Sequence, residues 1–310
     1  MNPILRLVVM VAAALAALPV AAQTPTAQAT YPFRLGYSSD TISDASDEAA
    51  VVTRELVQRI AMRMIGVSRA ETLPFSDLGA LKAALKAGQL DVVIVSADEY
   101  PRLEVDLKLD PALSAVRRGA DSFDIGLLVR RDSGISSLEG LRGLPVLNAK
   151  DQPRRIQSVW IETELIKAGF SGLELFSSFK EARSPSQAIM SVFFGQAAGC
   201  VVALDKFEVA TELNPQLATQ LTVIARSPEF SRGVVAFRAD YPKVQRDRAY
   251  DTMLHLHEDV DGRQIMSVFR HERMVPFRLE LLDSSRALMA DLGRLRALRE
   301  RKSGPAKVVR

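Results

Sequence analysis

"GQLDVVIVSADEY", residues 88–100, returns in outline as "GQAAGCVVALDKF", residues 195–207. Laid in register, Gly88 meets Gly195, Gln89 meets Gln196, Asp98 meets Asp205 and Tyr100 meets Phe207. Each copy holds a short apolar run, 92–95 in one and 200–203 in the other. Each is preceded by a helical pattern. Leu78, Leu81 and Leu85 share one helix face before Gly88. Before Gly195, Ser184 fits an N-cap, Pro185 the first helical position and Gln187 the far side of a capping box. A chain that builds helix, glycine, strand, acid and aromatic twice is building two α/β lobes.

The rest of the chain extends that pattern. A strand is expected at 33–37, a helix at 48–65, a strand at 72–75, a helix capped by Ser76, and a strand at 91–95. A longer strand follows at 123–130. Then come a strand at 145–148, a helix at 153–168, a strand at "LELF" (173–176), and the second repeat. The alternation predicts mostly parallel sheets flanked by helices. "IGLLVRRDSGI" (125–135) and "GVVAFRADYP" (233–242) share an apolar run, Arg, Asp and a turn residue, and read as two crossover strands. Lobe one would then be 31–130 with 238–300, helical by pattern over its second part, and lobe two 131–237. Residues 301–310 read as a flexible, solvated basic tail; contact with anionic lipid is the alternative.

Composition narrows the function. The 310 residues are 47% hydrophobic and 25% charged, with a net charge of +3. That suits a globular core and argues against a nucleic-acid partner. Residues 1–22 read as a secretory signal peptide, with Val20-Ala21-Ala22 at the cleavage site. A membrane anchor is the other reading, but the apolar run at 7–20 is shorter than the ~20 residues a spanning helix needs. A periplasmic location is expected. Cys200 is the only cysteine, so no intramolecular disulfide can form. It reads as a buried small hydrophobe, with a reactive thiol as the alternative. His255 and His257, two apart on a helix, would point away from each other, so no metal site is expected. No phosphate-binding glycine loop, dinucleotide fingerprint or nucleophile elbow is present. No cofactor and no enzymatic activity are expected.

In the order and spacing of "LKAGQLDVVIVSADEY", "LLVRRDSGISSLEGLRGLPV", "SPSQAIMSVFFGQAAGCVVALDKF" and "GVVAFRADYP", the chain resembles the type II periplasmic substrate-binding proteins of ABC importers. Its nearest branch is the phosphate, phosphite and phosphonate-binding group. The resemblance implies a two-lobed clamp, each lobe a mostly parallel sheet flanked by helices, joined by two crossover strands. It implies a small, anionic, phosphate- or phosphonate-like solute between the lobes and an ABC permease in the inner membrane as partner. A monomer is expected. A periplasmic sensor feeding a membrane kinase, an enzyme on the same fold, and a clamp that has lost its ligand are the other readings.

Ligands of open α/β sheets sit outside the carboxyl ends of the strands. Asp91 precedes its strand and reads as structural. Tyr37, Ser38 and Ser39 follow the first strand and either donate to an anion or form a turn capping the helix at 48. The resemblance places Ser96 and Tyr100 at the site, with packing as the alternative for Tyr100. Asp205, and less so Asp98, either touches ligand or caps the next helix. In lobe two, helix N-termini offer anion sites. Around Gln152, where phosphonate binders carry small hydroxyl residues and glycine, this sequence has "KDQPRR". Arg154 or Arg155 could replace the lost donors or simply be solvated. Ser186 is a donor at the second N-terminus.

Overall fold

The computed structural model describes residues 32–38, 47–149 and 154–303. The proposed signal peptide, Ser39, Gln152 and residues 304–310 lie outside the described residues. The strands among them are, in chain order, β1 (Phe33–Ser38), β2 (Ala70–Phe75), β3 (Val92–Val95), β4 (Leu109–Val116), β5 (Ser122–Phe123), β6 (Ile125–Arg130), β7 (Pro145–Ala149), β8 (Ser178–Ala182), β9 (Gly199–Ala203), β10 (Leu221–Arg226), β11 (Phe230–Ser231), β12 (Val234–Arg238) and β13 (Arg273–Pro276).

They form two main sheets, ordered β13-β4-β12-β3-β1-β2 and β10-β6-β9-β7-β8. In the first, β1 is parallel to β2 and β3, and β12 runs antiparallel between β3 and β4. In the second, β7 is parallel to β8 and β9, and β6 runs antiparallel between β9 and β10. The two sheets share one plan, with β13 added to the edge of the first.

The repeated glycines close their helices in the same way. Gly88 ends the helix Leu78–Lys86 at φ 65°, and Gly195 ends Pro185–Phe193 at φ 71°. In each, the glycine N–H reaches the carbonyl three residues back, and the following glutamine N–H reaches five back: Gln89 to Ala84 at 2.9 Å, Gln196 to Ser191 at 2.8 Å. This left-handed closure favours glycine, which has no Cβ to clash.

The strands expected to cross between lobes do not do so. β6 and β12 are each a buried strand inside a sheet. The crossings lie just before them, where β5 and β11 pair antiparallel with each other. The shared Arg and Asp mark equal positions in two sheets. Arg130 pairs with Asp132 and donates to the Phe193 carbonyl at 2.6 Å. Arg238 pairs with Asp240 and donates to the Leu90 carbonyl at 3.2 Å.

Other differences have local causes. β4 contains Pro111, a residue that argues against a strand, and it pairs with Ala236 beside the point where the β4–β12 register shifts. "LELF" forms a 3-10 turn, Leu173–Leu175, and the strand comes after it as β8. Asp77, not Ser76, caps its helix, accepting the Ala80 N–H at 2.9 Å. Ser184 is a cap as expected, while Gln187 reaches the Arg183 N–H rather than that of the cap itself. His255 and His257 lie past the end of the helix Lys243–Leu254, not within it.

Each sheet is covered on both faces. Phe33, Leu35 and Val92 pack with Leu56, Ile60 and Ile265 on one side of the first sheet, and Val93, Val95 and Val234 with Leu81, Leu85 and Leu103 on the other. The second sheet repeats this, Val201 packing with Trp160 and Leu165, and Cys200 and Val202 with Ile189 and Leu217. The last helix, Glu280–Ser303, belongs to both: Leu282 enters the first core, and Leu288 and Leu292 enter the second. Its helical part includes three residues of the expected tail, 301–303.

Candidate functional site

Ser38 ends β1, and Ser96 follows β3 beside it. After β3 the chain tightens: the Ser96 carbonyl accepts the N–H groups of Glu99 at 3.2 Å and Tyr100 at 3.1 Å. Glu99, 5% exposed, folds back over this turn. Its Oε2 accepts the Ser96 N–H at 3.0 Å and its Oε1 accepts the Ser38 hydroxyl at 2.7 Å. One carboxylate thus ties the carboxyl ends of two neighbouring strands. Glu99 escaped the sequence reading, although Ser96-Ala97-Asp98-Glu99 is a Ser-x-x-Glu capping-box pattern that could have found it.

Asp98 lies against the same turn and is 1% exposed. Its Oδ1 accepts the Ser96 hydroxyl at 2.8 Å, while its buried Oδ2 has no hydrogen-bond partner. Burial pushes its carboxyl up to about 6; the Glu99 charge adds to the shift, and Ser96 and Arg155 oppose it. Arg155 comes from the other sheet's helix, Arg154–Lys167, and its Nε stands 4.0 Å from Asp98 Oδ2 with the side chain 56% exposed. Residues attached to the two sheets therefore meet here, at strand carboxyl ends.

The remaining predicted residues fall in several places. Tyr37 is partly exposed, one position before the end of β1. Tyr100 packs in the first core, and its hydroxyl donates to the Leu109 carbonyl at 3.2 Å. Burial pushes this phenol up to about 12. Arg154 opens its helix, and Ser186 is exposed in the first turn of Pro185–Phe193. Asp205 lies inside the first turn of the helix Leu204–Leu213, whose N-cap is Ala203. Its Oδ2 sits 3.0 Å from Arg232 Nη1 and 3.5 Å from Lys206 Nζ. Arg232 comes from the crossing segment between β11 and β12; it also donates to the Ala120 carbonyl at 3.1 Å and lies over the Phe123 ring. Asp205 thus ties the second sheet to a crossing. No residue pattern near Arg232 announced that role.

Asp91, at the opposite end of β3, is the structural acid expected. It accepts the Arg34 N–H at 3.0 Å and the Arg34 guanidinium at 2.9 and 2.7 Å.

A covered pair of sheets, joined by two crossings and facing each other at strand carboxyl ends, is the two-lobed type II periplasmic binding fold. The model of the family described as ABC transporter, phosphonate, periplasmic substrate-binding protein matches residues 43–282, and the chain belongs to that family. The family is one of periplasmic transport proteins that bind a small molecule and serve a permease. Among solved structures, XAC2383 from Xanthomonas citri, bound to ATP, is similar with a TM-score of 0.63 and 19% identity, over 87% of this chain and 99% of that one. A binding protein component of an ABC phosphonate transporter from Pseudomonas aeruginosa gives 0.59 and 14%, over 87% and 89%. PhnD1 from Prochlorococcus marinus, in complex with methylphosphonate, gives 0.57 and 15%, over 85% and 98%. No curated protein matches the sequence.

Proposed function

We propose that this chain is exported by its N-terminal segment and captures a small phosphate- or phosphonate-like anion between its lobes. It then presents that solute to an inner-membrane ABC permease, acting as a monomer and without chemical change to the ligand. The observation that carries this reading is the approach of Arg155 to Asp98 across the strand ends. It puts a cation and the N-terminal turn of a 14-residue helix, Arg154–Lys167, at the place where open α/β sheets take ligands. Helix N-terminal N–H groups and a guanidinium both suit a phosphonate's oxygens. The methylphosphonate of the Prochlorococcus relative supports the same ligand chemistry. Sheet membership supports a division in which the lobes part within 117–124 and 227–233, rather than at 131 and 237.

Calorimetric titration with methylphosphonate, phosphate and 2-aminoethylphosphonate tests this. About one ligand per chain is expected, with affinity falling roughly 10- to 100-fold in Arg155→Ala, the weight of a charge-assisted hydrogen bond. Saturable binding that Arg155→Ala leaves unchanged would place the ligand elsewhere.

A further inference from the structure

We infer that Arg118 and Glu212, outside the cleft, form a latch between the lobes and so act as a positioning pair for capture. The latch rests on the lobes moving about the two crossings, whatever solute they hold.

Between β4 and β5 the chain makes a tight hairpin. Arg117 and Ala120 exchange both backbone hydrogen bonds, at 2.9 and 3.2 Å, and the two residues of the tip, Arg118 and Gly119, sit at φ 51° and 76°. A two-residue turn with both tip residues at positive φ favours asparagine, aspartate or glycine there. Gly119 fits. Arg118 carries a steric cost in that conformation, because its Cβ crowds the backbone. A side chain held at such a cost points to a use for it.

That side chain leaves its own sheet. The Gly119 N–H donates to Glu272 Oε2 at 3.1 Å, and the Glu272 N–H to the Val116 carbonyl at 2.8 Å, so the hairpin tip is anchored to the β4–β13 edge of the first sheet. Arg118 Nη2 reaches the other way, to Glu212 Oε1 at 2.6 Å. Glu212 is in the last turn of the helix Leu204–Leu213, which follows β9 of the second sheet. The other crossing grips the same helix at its start, where Arg232 pairs with Asp205 at 3.0 Å. Asp205 and Glu212 are seven residues, about two turns, apart and so share a helix face. Arg232 and Asp205 are nearly buried, whereas Arg118 and Glu212 are half in solvent. The buried pair is a fixed joint, and the exposed pair is free to open. It is made in the arrangement where Arg155 stands 4.0 Å from Asp98 across the strand ends, so it favours the lobes together. A solute that prefers the closed form gains what the latch contributes to that form.

The test reads the interlobe distance in the whole, unliganded protein. Spin labels on cysteines introduced at Ala83 and Lys180, exposed positions on either lobe, report it by pulsed electron-spin resonance; Cys200 is buried and stays unlabelled. At low salt, Arg118→Gly and Glu212→Gln are each expected to shift the population out of the parent's short-distance form by about two- to fivefold, the weight of an exposed ion pair. About 0.5 M salt should produce the same shift in the parent and none in the variants. Arg118→Glu combined with Glu212→Arg should return the distances toward the parent's. Methylphosphonate affinity should fall by the same factor as the short-distance population. Arg118→Gly suits the turn backbone, so its melting temperature should not drop. Distances that neither variant nor salt changes overturn the latch, and a lower melting temperature with unchanged distances makes Arg118 a structural turn residue. If methylphosphonate fails to bind while the distances shift as expected, the latch stands and the phosphonate reading falls.

Discussion

Replacing Asp91 by alanine is expected to destabilise the protein by about 3–5 kcal/mol, the cost of stripping one partner from a buried ion pair. The acid is 2% exposed and joins three strands at their far end from the cleft. Its side chain accepts the backbone N–H and both arms of the guanidinium of Arg34 on β1. Its backbone, at the start of β3, bonds Arg34 and Arg238. Arg238 Nη2 stands 3.8 Å from its carboxylate as well. The hydrogen bond to Asp91 is the main cause that raises the Arg34 guanidinium above its usual range. Alanine leaves that cation and the Arg34 N–H without an acceptor. Against a typical domain stability of about 5–15 kcal/mol, the loss brings the protein near unfolding at growth temperature. Denaturant midpoints measure it. A cost below about 1 kcal/mol, the range of a surface pair, would remove Asp91 from the structural account.

Asp98 should behave in the opposite way. Its carboxyl is raised from 3.8 to about 6, chiefly by burial. The folded protein therefore binds more protons than the unfolded chain between those values. The stabilising contribution of the protonated acid is full below about pH 4 and is lost as pH rises through about 6. Its size is about 3 kcal/mol at most. Asp98→Asn should flatten this part of the unliganded protein's stability profile and raise its stability at pH 7 by about 2 kcal/mol, allowing for a buried amide proton without a partner. A variant less stable than the parent at pH 7, with the slope intact, would show that Asp98 is an ordinary structural acid.

Much of this fold was legible because its signals are local. The Gly88 and Gly195 closures, the Ser184 cap and the buried runs of β3 and β9 each follow from a few adjacent residues. The doubled module named the architecture. What misled was similarity without context. "LLVRRD" and "AFRAD" look alike because they hold equal sheet positions, and sequence alone does not tell an equal position from a shared crossing. β4 was hidden by Pro111, which sits beside a register shift. β13 was lost in a stretch whose surroundings are helical. At the site, residue types were easier to read than directions. Ser38, Ser96, Asp98 and Asp205 were all singled out, yet whether a serine hydroxyl points to a ligand or to Glu99 depends on a turn of backbone. Tyr100 shows the same limit, since its ring enters the core and its hydroxyl meets Leu109.

The claim on which everything rests is that the lobes close on a solute held between them. Small-angle X-ray scattering from the protein alone and with saturating 2-aminoethylphosphonate tests it most directly. A smaller radius of gyration in the saturated sample, with the molecular mass unchanged, is the predicted result. Tight, stoichiometric binding with identical scattering curves would contradict it.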